Sequence, residues 1–174
     1  MFIPVKVVEK VQENKDVFTI KTDFSIKPLP GQFAMIWLPG IDEFPMSFSY
    51  VDDHPGFTFK VLGNGTKKLS EMNEGERIFI RGPFGNGYRE YAENALFIAG
   101  GTGVASLAPF IEKSKFKKKT ILIGFKNKND VFFLERLKKY GDVFIFTEDG
   151  SLATITRLLT IVTSSGVPFI RDTM

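Results

Sequence analysis

The stretch Ala95-Leu-Phe-Ile-Ala-Gly-Gly-Thr-Gly-Val-Ala-Ser-Leu-Ala-Pro-Phe110 decides the reading of this chain. Ala95 to Ala99 is a short apolar run bounded by glycines, the pattern of a buried parallel strand. Gly100, Gly101, Thr102 and Gly103 form a loop almost free of side chains. From Val104 to Lys113 the apolar residues Val104, Leu107, Ala108 and Ile111 recur at helical spacing. Strand, glycine loop and helix together bring backbone N–H groups and a helix N-terminus up to a phosphate. The spacing is Gly-Gly-Thr-Gly rather than G-x-G-x-x-G, and it also serves a tight strand-to-helix turn that binds nothing.

On either side of this stretch the periodicity differs. Up to about Tyr91 the chain reads as strands alone: Val5–Val11, Asp16–Lys21, Gln32–Leu38, Met46–Val51, Gly56–Leu62 and Glu76–Arg81, with one helical turn near Lys67–Met72. Turn signals separate them, with Gly82-Pro83 closing the sixth, and a closed antiparallel barrel of Greek-key type is the expectation. After Ala95, strands at Thr120–Phe125 and Asp142–Thr147 alternate with a helix predicted over Val131–Tyr140. That order predicts a parallel sheet, a partial Rossmann-like α/β domain with right-handed crossovers. The boundaries expected are a barrel over 1–92, an α/β domain over 93–151 and an atypical tail over 152–174.

Composition bounds the function. The 174 residues are 43% hydrophobic and 25% charged, a globular balance, and the net charge of +3 is too small to indicate a nucleic-acid surface. No apolar run is long enough to span a membrane and no signal-peptide pattern opens the chain, so a cytoplasmic protein is the expectation. There is no cysteine, which removes a cysteine nucleophile and thiolate-held zinc or iron–sulfur centres from this sequence. The single histidine, His54, lies in Asp-Asp-His-Pro-Gly and reads as a solvated turn residue. The Glu112–Lys119 charge cluster reads as a solvated loop between helix and strand.

Four segments carry candidate site residues. In Phe44-Pro-Met-Ser-Phe-Ser49, Ser47 offers a hydroxyl and an N–H to a ligand. In Leu62-Gly-Asn-Gly-Thr66, Gly63 and Gly65 permit close approach, and Thr66 opens a helix suited to a pyrophosphate. Arg81-Gly-Pro-Phe-Gly-Asn-Gly87 is glycine-rich at the domain junction, and Gly100–Gly103 is the fourth.

With these motifs in this order, and with Pro30-Gly-Gln-Phe33 before them and Thr147-Glu-Asp-Gly-Ser151 after them, the chain resembles the ferredoxin–NADP reductase superfamily. Within it the chain looks most like the electron-transfer subunits of type B dihydroorotate dehydrogenase, over nearly all of residues 1–151. The resemblance implies FAD on the barrel and NAD(H) on the sheet domain. It places Pro45, Met46 and Ser47 along the isoalloxazine, with Thr58, Phe59 and Lys60 flanking it. It places Gly65 and Thr66 at the FAD pyrophosphate. Gly100, Gly101, Thr102 and Gly103 would face the nicotinamide cofactor, and Asp149 and Gly150 would lie near its crevice. In the family the flavin takes the hydride and electrons leave through a [2Fe–2S] cluster to an FMN-containing catalytic subunit in a heterotetramer. NAD(H)-to-dehydrogenase electron transfer, in dihydroorotate oxidation for pyrimidine synthesis, is the function so implied. A stand-alone NAD(P)H:flavin reductase, another complex's reductase subunit and an inactive flavin-binding module are the alternatives.

Three departures stand against the family pattern. Phe44 occupies the place of a pyrophosphate-binding arginine, and Met46 that of an aromatic residue, leaving Lys60 and the Gly65–Thr66 backbone for anion contacts. After Ser151 the expected glycine-rich turn and cysteine cluster loop are absent, and Leu152–Met174 has no acidic residue before Asp172. That tail reads as truncated or frame-shifted. The region after the second sheet strand, with Lys126, Lys128 and Asp130, leaves NAD against NADP open.

Overall fold

The computed structural model describes residues 1–152. The tail expected to be atypical lies, from residue 153 on, outside the described residues.

Six strands close a barrel: β1 (Ile3–Gln12), β2 (Val17–Thr22), β3 (Phe33–Leu38), β4 (Asp42–Tyr50), β5 (Gly56–Lys60) and β6 (Arg77–Phe84). Their order is β1-β2-β5-β4-β3-β6, every pairing is antiparallel, and the topology is a Greek key. Period-two alternation makes the core. In β3, Ala34, Ile36 and Leu38 point inward and are buried, while Phe33, Met35 and Trp37 stay half-exposed. Phe48 and Phe57, fully buried, meet across β4 and β5 with ring centroids 4.7 Å apart. Helix α1 (Asn64–Glu71) covers one end and inserts Leu69.

The second unit is a parallel three-stranded sheet, β7 (Asn94–Gly100), β8 (Lys118–Phe125) and β9 (Asp142–Thr147), in that order. Helix α2 (Gly103–Lys113) crosses from β7 to β8 and buries Val104, Ala108 and Ile111 against Ile121 and Ile123. This is the periodicity switch expected at Ala95.

Several local expectations are corrected. The fourth strand begins at Asp42, four residues before the expected Met46, paired with β3 in register Phe44↔Ile36 and Ser47↔Phe33. Its pairing with β5 begins only at Phe48, so Pro45 sits on a locally unpaired edge, where a strand tolerates proline. Strand β6 runs through Gly82-Pro83 to Phe84 instead of ending before them. Helix α1 begins at Asn64, three residues before the expected turn. The helix expected over Val131–Tyr140 is a 3₁₀ turn (Lys128–Asp130), an extended link, and the single turn α3 (Leu134–Leu137). Phe132 and Phe133 are both buried, and Phe133 takes φ 63°, outside the right-handed helical region, so no helix runs through it.

The charge cluster is not uniformly solvated. Lys115, Lys117 and Lys118 are exposed, but Lys119 is buried, and its Nζ donates to the carbonyls of Ile111 (2.6 Å) and Ser114 (2.7 Å) at the end of α2. A cation there complements the helix C-terminus. Glu112 is likewise withdrawn from solvent, at 13% exposure, by Arg136. His54 is exposed in its turn.

Candidate functional site

The outward faces of β2, β5 and β4 turn toward the sheet. Where they meet the C-terminal ends of β7, β8 and β9 there is a cavity of about 580 Å³, a size suited to a small ligand or cofactor. Asn14, Asp16, Val17 and Lys60 form its barrel wall. Gly100, Gly101 and Thr102, with Asp130, Phe132, Thr147 and Glu148, form the sheet wall. A parallel sheet points its strand C-termini and following helix N-terminus at such a crevice.

The glycine loop is built for close approach. A Cβ added at Gly100, Gly101 or Gly103 meets nothing within 4 Å, so the loop borders open space. Gly101 has φ 50° and donates its N–H to the Gly124 carbonyl, which ties the loop to β8 (2.8 Å). Thr102 caps α2, and the Thr102 and Gly103 N–H groups have no acceptor among the described residues. Free N–H groups at a helix N-terminus are an anion cradle.

A second cradle lies at α1. The N–H groups of Asn64, Gly65 and Thr66 have no acceptor among the described residues, and Gly63 faces open space. The Thr66 hydroxyl accepts the N–H groups of Leu62 (3.0 Å) and Gly63 (3.1 Å), locking the turn. A methyl at Gly65 would fall 2.5 Å from the Phe44 ring and 2.9 Å from Asp42 Oδ2. Gly65 is thus required by the packing of β4 on α1. Its basic side chains are Lys67 and Lys68; Arg81, close by in sequence to the junction, is engaged by Glu43 at 3.0 Å. The donor set fits a pyrophosphate held by backbone N–H groups without an arginine.

Not all residues marked by sequence meet in one place. Lys60, Gly100, Gly101 and Thr102 share the cavity. Gly103 stands behind them as the first residue of α2. Pro45, Met46 and Ser47 pair with β3 but lie on the half of β4 left open on its β5 side, and Gly65 and Thr66 lie on α1 beside it. Phe59 is a buried core residue of the barrel. Thr58 is buried in a hydroxyl cluster, 2.7 Å from Thr19 and 2.8 Å from Ser49. Glu148 reaches the cavity; Asp149 and Gly150 form the turn just beyond it, where Asp149 Oδ1 accepts the Ser151 N–H at 2.9 Å. Hydrogen bonds from Ser151 hold the exposed Asp149 carboxyl below its ordinary range. Asn14 and Asp16 were not marked by sequence, because they occupy an ordinary hairpin turn and acquire meaning only when the sheet docks beside it. No group of three or more His, Cys, Asp and Glu able to hold a metal occurs among the described residues.

Tyr50, on β4, lies at the junction under the Arg136 guanidinium, 3.9 Å from its ring centroid. Burial raises its phenol above the ordinary value, partly opposed by Arg136. A raised acid pKa contributes stability that is fully present below the unfolded value near 10 and is lost as pH climbs through the folded one. An absorbance titration at ~295 nm is therefore expected to show one of the four tyrosines ionising last, and Tyr50→Phe should remove that final phase. A final phase retained in Tyr50→Phe would refute the assignment.

No family model matches the chain. Its fold is that of the ferredoxin reductase-like proteins. The structure of an NADH-dependent reduced ferredoxin-NADP oxidoreductase aligns with a TM-score of 0.82 at 25% identity, over 91% of this chain and 63% of that one. A ferredoxin NADP⁺ reductase from Neisseria gonorrhoeae, solved with bound FAD and NADP, aligns at 0.78 and 13% identity, over 97% and 81%. By sequence the chain is a homologue of the electron transfer subunits of dihydroorotate dehydrogenase B. The probable subunit of Thermoplasma volcanium is 37% identical over 149 residues, 86% of this chain and 58% of the relative. That of Thermoplasma acidophilum is 40% identical over 141 residues, 80% and 54%. The chain thus spans a little more than half the length of these relatives. Among the described residues no helix is long and apolar enough to cross a membrane.

Proposed function

We propose that this chain binds FAD on the barrel (residues 1–92) and NAD(H) on the sheet unit (residues 93–151), and passes reducing equivalents to a partner dehydrogenase. The observation that carries this reading is the open Gly100–Gly103 cradle, which faces the barrel across a single crevice. FAD supplies the hydride acceptor and the splitting of a two-electron input into single electrons. The protein binds and orients. The half of β4 that does not pair with β5, with Ser47, offers hydrogen-bonding groups to a flavin edge, and the free N–H groups of α1 offer the pyrophosphate site. Thr102 and Gly103 offer N–H groups to the dinucleotide phosphates. Asp16, Asp130 and Glu148 outnumber Lys60 and Lys126 around the cavity, which disfavours a further phosphate and favours NAD(H) over NADP(H).

The partner in this reading is the FMN-containing catalytic subunit of dihydroorotate dehydrogenase, in a heterotetramer, and the setting is cytoplasmic pyrimidine synthesis. The relatives' names, electron transfer subunits of dihydroorotate dehydrogenase B, support the choice of partner enzyme. The fold, shared with ferredoxin reductase-like structures, supports a second reading, an NAD(P)H:flavin reductase. Both readings share one test. The purified chain, given FAD and desalted, is expected to keep a flavin absorbance near ~450 nm that NADH bleaches without oxygen. A colourless protein overturns both. Bleaching by NADH with no transfer to a co-expressed catalytic subunit leaves the reductase reading and overturns the subunit reading.

A further inference from the structure

Arg136, on α3, ties the sheet unit to the barrel at a point behind the crevice. Its Nε donates to Glu112 Oε1 (2.6 Å) and its Nη2 to Glu112 Oε2 (2.9 Å), a fork-to-fork pair with α2. The same Nη2 donates to the Ser49 carbonyl of β4 at 2.8 Å. The guanidinium also stacks between two rings, 3.9 Å from Tyr50 of the barrel and 4.5 Å from Phe133 of the sheet unit. Arg136 and Glu112 are 15% and 13% exposed, and Arg136 Nη1 is buried with no partner among the described residues.

This clamp reaches both walls of the crevice. On the sheet side, Phe133 packs on the guanidinium with φ 63°, a conformation that a bulky residue adopts only when its surroundings impose it. Its neighbour Phe132 lines the cavity. On the barrel side, the Ser49 hydroxyl joins Thr58, Thr58 joins Thr19, and Thr19 donates to Glu13 at 2.6 Å. Because the Thr19 proton goes to Glu13, Thr58 donates to Thr19 and Ser49 to Thr58. The chain of hydroxyls ends beside Asn14, which lines the cavity and donates to the Asp130 carbonyl of the opposite wall at 2.9 Å.

We propose that Arg136 is a positioning residue: its clamp sets the spacing and angle of the two crevice walls, and so the contact between a nicotinamide on the sheet and a flavin on the barrel. The inference rests on the reading given under Proposed function. Lysine cannot replace it, because a point charge cannot fork to Glu112, reach Ser49 and stack on two rings at once. A shift of about 1 Å between reacting groups is enough to slow a reaction about 100-fold.

The test uses the FAD-loaded full chain as wild type, Arg136→Lys and the double variant Glu112→Met/Arg136→Met. The double variant removes both charges and leaves neither buried alone. Anaerobic stopped-flow bleaching by NADH gives the limiting reduction rate and the NADH dissociation constant separately, and flavin fluorescence gives the FAD dissociation constant. Both variants are expected to lose about 100-fold in the limiting rate while binding FAD within about twofold of wild type, so that Lys does not rescue. A purely structural role would lower the melting temperature and leave the limiting rate of the folded protein intact. Limiting rates within about threefold of wild type overturn the proposal alone. A wild type that NADH does not bleach overturns the functional reading and the proposal with it. If the double variant does not fold, Arg136→Lys, which keeps the charge, decides.

Discussion

Glu112→Ala is expected to lower the unfolding free energy by about 3–5 kcal/mol, measured by urea denaturation. The magnitude comes from what the substitution leaves behind. Arg136 keeps its charge at 15% exposure, loses both carboxylate acceptors and retains only the Ser49 carbonyl. Its Nη1 is already without a partner, so the site has no spare acceptor among the described residues. The pair itself need not stabilise the fold by that amount, because desolvation offsets much of its attraction. Removing both charges is accordingly expected to be milder than removing one. Lys27→Ala is the control. The Lys27–Asp53 pair is 71% and 86% exposed, and its loss should leave the urea midpoint unmoved. A Glu112→Ala effect below about 1 kcal/mol would mean that Arg136 finds water when its partner goes.

The barrel and sheet were legible in sequence because most of their elements are governed by local patterns. Gln32–Leu38 alternates, and β3 buries the alternate residues Ala34, Ile36 and Leu38. Ala95–Ala99 is a glycine-bounded apolar run, and it is a parallel strand in register with β8. Errors fell where tertiary contact overrides the pattern. Phe132, Phe133, Leu134 and Leu137 suit a helix by composition. In the fold, Phe132 borders the cavity while Phe133 packs on Arg136 and Tyr50, so the two consecutive rings face different neighbours and the helix shrinks to one turn. Pro45 suggested a loop because proline lacks an N–H, but the edge position of the first half of β4 removes that objection.

The site divides in the same way. The Gly100–Gly103 loop is legible as a candidate from its glycines alone, of which only Gly101, at φ 50°, has a backbone that calls for glycine. Residues that acquire a role only through docking are not legible in this way. Asn14 sits in a hairpin turn, Glu112 opens a charge cluster that reads as solvated, and Arg136 carries no mark of its own within the helix expected over Val131–Tyr140. Their meaning depends on contacts separated by 116, 24 and 87 residues in the chain, as between Asn14 and Asp130, Glu112 and Arg136, and Ser49 and Arg136. A reading by local spacing has no access to such pairs.

Gly100→Val is expected to weaken NADH binding by about 100-fold, roughly 2.7 kcal/mol, with melting temperature and FAD content unchanged. Gly100 is the last residue of β7 and lines the cavity, and a Cβ placed there meets no protein atom within 4 Å. A valine at this point therefore occupies ligand space instead of displacing core atoms, and a β-branched residue suits a strand end. Gly101 is a poorer probe: its φ of 50° means any substitution adds backbone strain of about 1–2 kcal/mol, which mixes stability with binding. The comparison separates the two explanations of this loop. If the glycines serve only a tight strand-to-helix turn, Gly101→Val is destabilising and Gly100→Val is silent in every measurement. If they clear a path for a dinucleotide backbone, Gly100→Val abolishes NADH-dependent bleaching at concentrations that saturate the wild type. Isothermal titration with NADH, on protein loaded with FAD, reads the difference directly, and an affinity within about threefold of wild type would remove the glycine cradle from the nucleotide site.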